Sequence, residues 1–174
     1  LSIVKDIVGK IQNVYYFSDF SPNPTYESVV KGIEVLKKNN CNAVLAIGGG
    51  SAMDVAKCIK LFSTMKDNEN FLMQPFIENS IPLFVIPTTS GTGSEATKFA
   101  VIYYKGKKQS VTHESIIPNG VLLEPNVLEN VPKYQRKATM FDALCHAIES
   151  YWSVNSTDQS RLYSKRALEI IFDN

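Results

Sequence analysis

The sequence predicts an α/β fold: a parallel sheet wound with helices and carrying one hairpin, followed by the start of an all-helical part. Three observations carry this. Apolar runs of strand length at 43–47 and 83–86 are separated by segments of helical spacing, the order expected of parallel strands joined by crossover helices and covered on both faces. Residues 97–104 and 109–113 flank Lys105, Gly106, Lys107 and Lys108, which reads as an antiparallel hairpin. From Pro132 onward, 138–154 and 159–172 carry apolar residues three and four apart without alternation, which reads as helices.

Taken in order, Ile3, Val4, Ile7, Val8 and Ile11 recur at helical spacing, so the chain begins in or near a helix. Residues 14–17 follow as a short strand. Ser21, Pro22, Asn23, Pro24 and Thr25 form a breaker cluster, and Thr25 is placed to cap a helix over 26–39 with Val29, Ile33 and Leu36 as its apolar stripe. That helix feeds the 43–47 strand, which ends in Gly48, Gly49, Gly50 and Ser51 before a helix over 52–65. A polar loop at 66–70 leads to the 83–86 strand, closed by Pro87, and 121–123 adds one more strand after the hairpin. The composition shift near 125–132 divides the chain into an α/β domain over 1–130 and the first helices of a second domain over 131–174.

The chain has 174 residues, 44% of them hydrophobic, enough for one domain or one domain and part of another. Its 18 basic against 17 acidic side chains, with no run of one sign, argue against nucleic acid or anionic membrane as a partner. Cys41, Cys58 and Cys145 are odd in number and sit in or beside apolar segments, which reads as reduced, buried thiols in a cytoplasmic protein. No stretch reaches membrane-spanning length, and the first ten residues offer neither a signal-peptide core nor an initiating Met, so the sequence reads as an excerpt.

Two loops and one helix carry the chemistry. Gly48-Gly49-Gly50-Ser51 stands between a strand and a helix, where residues without Cβ admit a close ligand and the helix start attracts an anion, a phosphate above all. Alone, the same turn is equally a generic strand-to-helix connection. Residues 87–95 place five hydroxyl side chains and two glycines after another apolar strand, so a second strand-end loop beside the first suggests a split dinucleotide cleft; the alternative is a solvated Ser/Thr turn. The G-x-G-x-x-G fingerprint is absent, against the commonest dinucleotide fold. Asp142 and His146, spaced i, i+4, put a carboxylate and an imidazole on one helix face, a pairing suited to Fe2+, Zn2+ or a similar ion; two ligands complete no site, and the alternatives are an ordinary Asp/His helix pair or a core histidine. His113 reads as an exposed or loosely hydrogen-bonded surface histidine.

These segments together resemble the iron-containing (group III) alcohol dehydrogenase family: the glycine turn with Asp54, Ala56 and Lys57; Pro87-Thr88-Thr89 with Gly91-Thr92-Gly93-Ser94-Glu95; and Asp142-Ala143-Leu144 with His146-Ala147-Ile148-Glu149. Pro22-Asn23-Pro24-Thr25 looks like the family's PNPT segment, so the resemblance runs from about residue 20 to the end. It implies an α/β domain that binds NAD or NADP and a helical domain that holds a divalent metal, Fe2+ first and Zn2+ as the alternative. It implies hydride transfer between nicotinamide and a small alcohol or aldehyde. By position, Gly49, Gly50, Ser51 and Asp54 would line the pyrophosphate, and Thr88, Thr89, Thr92 and Ser94 the phosphates, ribose or nicotinamide. Asn23 would lie near the adenosine half, Lys108 would contact the cofactor, and Asp142 and His146 would be the first two metal ligands.

The family completes its metal shell with two further histidines, whereas this chain has only His113 and His146. The usual Asp-Pro-His after the hairpin is replaced by His113-Glu114-Ser115, and Gly-Met before the metal aspartate by Met140-Phe141. Segments 110–118 and 145–157 look similar to phosphonoacetaldehyde reductases, which implies that substrate. A nucleotide-binding module without catalysis and a relative of glycerol dehydrogenase or dehydroquinate synthase are the competing readings. The family often forms dimers or larger assemblies, so a homo-oligomer is a further implication of the resemblance.

Overall fold

The computed structural model describes residues 2–173, with side chains from Lys5 onward. Helix α1 (Ser2–Val8) opens the chain; the Ile3 and Val4 side chains assigned to its apolar stripe lie outside the described ones. Residues 14–17 form no strand, contrary to expectation. A strand needs a neighbour for its backbone donors and acceptors, and β1, introduced below, pairs among the described residues with β2 alone. Tyr15 and Phe17 instead line a cavity of about 160 Å3 together with Val44 and Ala46.

Helix α2 (Tyr26–Lys38) starts directly after the extended Thr25, whose Oγ1 accepts from Ser28 N at 3.2 Å. Strand β1 (Val44–Gly48) then leads into α3 (Gly50–Phe62), and β2 (Leu83–Pro87) runs parallel to β1 with Val44 beside Leu83 and Gly48 beside Pro87. Strands β3 (Phe99–Tyr104) and β4 (Lys107–Thr112) make the expected hairpin, closed by Lys105 and Gly106 alone, both at positive φ, so Lys107 and Lys108 belong to the strand. The last strand, β5 (Gly120–Val121), is two residues long and pairs parallel with β2.

Helix α3 holds the molecule together because it is apolar around most of its circumference. Met53 and Ala56 pack on Ala46, Leu83 and Val85 of the sheet, while Val55, Ile59 and Phe62 join Val29 and Ile33 of α2 and Ala100, Ile102 and Val111 of the hairpin. The α2–α3 crossing is close: a Cβ on Gly32 would fall 2.3 Å from Ile59 Cδ1. The opposite sheet face is less covered than its apolar strands imply, with Leu45 36% and Phe84 44% exposed. The thiols differ likewise from expectation, since Cys58 is buried, Cys41 half-buried and Cys145 exposed on a helix.

After residue 125 the structure is helical. Helix α4 (Lys133–Trp152) begins five residues earlier than its apolar spacing indicates, and α5 (Asp158–Phe172) starts from a capping box in which Thr157 and Ser160 satisfy each other's backbone N–H. The two helices pack on each other and leave Trp152, Leu162, Tyr163 and Phe172 exposed. No described helix is long and apolar enough to cross a membrane.

Candidate functional site

Parallel pairing of β1 and β2 sets the two singled-out loops side by side at the strands' carboxyl ends, where ligands of open α/β sheets collect. Gly49 is the extended residue before α3, and Gly50 and Ser51 form its first turn. No side chain caps this helix start. Its first amides have no acceptor within the helix, so the turn is chemically fitted to an anion such as a pyrophosphate.

The loops interlock. Thr88 N donates to Gly48 O at 2.9 Å, and a Cβ on Gly49 would meet Thr89 Oγ1 at 2.8 Å. One on Gly50 would meet Thr92 Cγ2 at 3.1 Å. Glycine at 49 thus lets Thr89 stand against the turn, and at 50 a Cβ would crowd Thr92 by a few tenths of an ångström. Thr92 Oγ1 in turn accepts from Ser94 N at 3.3 Å.

Asp54 and Lys57, nearly one turn apart on α3, anchor the far side of the second loop. The Asp54 carboxylate accepts from Ser94 Oγ at 2.9 Å and from Val101 N at 3.0 Å. Burial pushes its carboxyl above the usual range, against the opposing pull of those two donors and the Lys57 charge. Lys57 is fully buried and donates to Thr97 O and Phe99 O, each at 2.8 Å, and to Thr97 Oγ1 at 3.2 Å. Burial holds its ammonium below the ordinary lysine value, partly offset by Asp54.

Asn23 is exposed at φ 58°, and the next residue ties it to the hairpin, since Tyr103 N donates to Pro24 O at 2.8 Å. Tyr103 pairs with Lys108 across the hairpin, so Asn23 and exposed Lys108 lie at the same end of it. His113 takes the hydrogen-bonded form of the surface reading. It is half-buried, and its Nδ1 accepts from Ser115 N at 3.2 Å beside Ser115 Oγ at 2.8 Å, which caps a short 3-10 turn.

Helix α4 brings the remaining pair to the same loop. Asp142 Oδ1 and His146 Nε2 are 4.0 Å apart, on side chains about half exposed. A carboxylate and an imidazole facing each other suit a divalent cation. No group of three His, Cys, Asp or Glu side chains placed to hold a metal occurs among the described residues, so Asp142 and His146 by themselves do not complete a metal site. Two contacts fasten it to the loop: Ser90 Oγ lies 3.0 Å from Thr139 Oγ1, and His146 Nδ1 lies 3.1 Å from Gly91 O. Gly91, at φ 96°, has no room for a side chain, because a Cβ would fall 2.3 Å from Thr139 O.

Sequence reasoning gave Ser90, Thr139 and Lys57 no role of their own. One signal for Thr139 was present: 139, 142 and 146 fall at i, i+3 and i+7, one stripe of a helix.

Comparison with known proteins agrees with this arrangement. Residues 2–125 match the model of the family described as iron-containing alcohol dehydrogenase. Aldehyde-alcohol dehydrogenase 2 of Entamoeba histolytica is 34% identical over 189 residues, covering 98% of this chain and 22% of that protein. The 1-propanol dehydrogenase PduQ of Citrobacter freundii is 34% identical over 171 residues, covering 97% of this chain and 44% of its own length. Among solved structures, sulfoacetaldehyde reductase from Bifidobacterium kashiwanohense in complex with NAD+ superposes with a TM-score of 0.91 at 28% identity, over 98% of this chain and 47% of that one. The chain thus spans less than half the length of each of these relatives. With the family model matched over most of its length and the glycine turn, hydroxyl loop and Asp/His pair in place, the chain belongs to the iron-containing alcohol dehydrogenase family.

Proposed function

We propose that this chain is the nucleotide-holding part, with half of the metal shell, of a metal-dependent NAD(P)H alcohol dehydrogenase or aldehyde reductase that works in the cytoplasm. The observation that carries the reading is one juxtaposition. The uncapped start of α3 and the hydroxyl loop share a strand end, and that loop also touches the helix bearing Asp142 and His146.

In this reading residues 1–130 form the NAD(P) domain and 131–174 open the metal domain. Gly49, Gly50 and Ser51 receive the pyrophosphate on their amides, with Asp54 behind them holding the second loop at its distance. Thr88, Thr89, Thr92 and Ser94 offer hydroxyls toward phosphate, ribose or nicotinamide, Asn23 lies near the adenosine half, and Lys108 contacts the cofactor from the hairpin. Asp142 and His146 hold the cation beside the loop. When bound, the nicotinamide supplies or accepts hydride and the divalent ion, Fe2+ or Zn2+, supplies Lewis-acid polarisation of the substrate oxygen. The chain's own share is positioning. Its substrate is a small alcohol or aldehyde, and phosphonoacetaldehyde is the first to test. Supporting it are segments 110–118 and 145–157 and the likeness to a reductase of sulfoacetaldehyde, another aldehyde carrying an acidic group.

The test has two arms. NADH and NADPH fluorescence titrations of this chain are expected to saturate, and Gly49→Val, which drives methyl groups into Thr89, is expected to weaken binding about tenfold or more. NAD(P)H oxidation by the product of the whole reading frame is then followed with butyraldehyde, lactaldehyde and phosphonoacetaldehyde. Binding without turnover makes the chain a nucleotide-binding module; no binding overturns the reading.

A further inference from the structure

We propose that the hydroxyl loop sets the tautomer of His146, with the carbonyl of Gly91 as the positioning group that turns Nε2 into the electron-pair donor facing Asp142. The proposal rests on the reading of Asp142 and His146 as a cation-holding pair, but its decisive observable does not. A backbone carbonyl accepts and never donates. The 3.1 Å contact of His146 Nδ1 with Gly91 O therefore requires the proton on Nδ1. In the neutral ring the lone pair then belongs to Nε2, the nitrogen 4.0 Å from Asp142 Oδ1. A histidine that gives its other N–H to a carbonyl is oriented and made more basic toward a cation, which is what an exposed helix side chain lacks unaided.

The contact is built by the fold. Gly91 sits at positive φ with its α-carbon side against Thr139 O, a spot a methyl group cannot occupy. Ser90 and Thr139 pair their hydroxyls alongside, nearly two helical turns before His146. Thr139, Asp142 and His146 share a helix face, so the loop touches the face that carries the pair at both of its ends. Because the same loop stands against the glycine turn through Thr89 and Thr92, the carbonyl that orients His146 belongs to the nucleotide cradle. The candidate nucleotide and cation sites thereby share one loop.

His113 supplies an internal contrast. Its Nδ1 accepts from Ser115 N, so its proton belongs on Nε2. The two histidines of the chain are thus expected in opposite tautomers.

Nitrogen NMR of the full chain with isotopically labelled histidine, at about pH 8.5 where ordinary imidazoles are neutral, reads both tautomers directly. Signals are assigned with His113→Gln and His146→Gln. The expected result is a protonated Nδ1 on His146 and a protonated Nε2 on His113. In Gly91→Ala the added methyl must push the loop from α4, and the His146 tautomer ratio is expected to fall about fivefold, the worth of one lost hydrogen bond. The His113 pattern should stay as it was, which shows that the α/β part is folded. Ser90→Ala, a milder loosening, should move His146 in the same direction by less. A protonated Nε2 on His146 in the unaltered chain, or a ratio indifferent to Gly91→Ala in a chain whose His113 signal is intact, overturns the proposal. If Gly91→Ala fails to fold, the tautomer in the unaltered chain decides alone. Zinc chloride added to the unaltered chain separates the two readings. A shift of Nε2 with Nδ1 still protonated supports both. No response of either nitrogen at millimolar zinc defeats the cation-holding pair while leaving the tautomer result standing, and a shift of Nδ1 with loss of its proton defeats the positioning role.

Discussion

Removing Asp54 tests whether the second loop is held by geometry or by charge. In Asp54→Ala, Val101 N–H loses its acceptor in a half-buried place, a cost of about 1–3 kcal/mol, and Ser94 Oγ loses a hydrogen bond worth about 1 kcal/mol. Relief from burying a charge offsets part of this, and the sum is a loss of about 2–3 kcal/mol. Asp54→Asn behaves differently. Its oxygen still accepts from Val101, and its amide donates to Ser94 Oγ, a hydroxyl able to switch roles. Its cost is expected to stay under about 1 kcal/mol. In urea, with a slope of about 2 kcal/mol per molar, the alanine variant should unfold about 1 M earlier and the asparagine variant within about 0.5 M of the unaltered chain. The pH trend follows from the raised carboxyl. Folding binds the Asp54 proton more tightly than the unfolded chain does, so this group's contribution is complete below the ordinary value of 3.8 and declines as pH rises through the higher folded value. The unaltered chain should therefore gain on Asp54→Asn as pH falls from neutral through the carboxylate range. An asparagine variant as damaged as the alanine one, or an alanine variant with an unmoved midpoint, would refute the hydrogen-bond account.

Two further outcomes follow from the same interior. Lys57→Met leaves the Thr97 and Phe99 carbonyls without their donor and should cost about 2–4 kcal/mol in urea unfolding. Because the folded chain holds the Lys57 proton less tightly than the unfolded one, the unaltered chain should gain stability as pH rises from the lowered folded value toward 10.5, and the methionine variant should lack that rise. Thiol labelling of the native chain should find Cys145 fast and Cys41 slower, with Cys58 reacting only on unfolding, because burial pushes the Cys58 thiol up and closes access. A native Cys58 that reacts as fast as Cys145 contradicts the packing of α3.

What the sequence showed and what it hid divide by range. Thr25 capping α2, a hairpin connection within 105–108 and the glycine turn before α3 were legible because each depends on neighbours within a few residues. The 14–17 strand was wrongly expected because the look of one short segment says nothing of a neighbour, while a strand requires two. Cover over Leu45 and Phe84 was likewise a statement about neighbours that local pattern does not contain. In the site, the glycines and hydroxyls announced themselves by composition. The partners of Asp54 lie 40 and 47 residues away, and those joining Gly91 and Ser90 to α4 lie 55 and 49 away, so their roles emerged from the fold. The capping partner of His113 was hidden for a smaller reason: it lies two residues on, and only the 3-10 turn brings Ser115 under the ring.

The central claim is that two strand-end loops form one nucleotide cradle. Backbone amide NMR of this chain titrated with NAD+ tests it most directly. The largest shifts are expected at 49–51 and 88–94, with smaller ones at Asn23 and Lys108. Saturating nucleotide that leaves 49–51 unmoved, or shifts confined to α5, would contradict the claim.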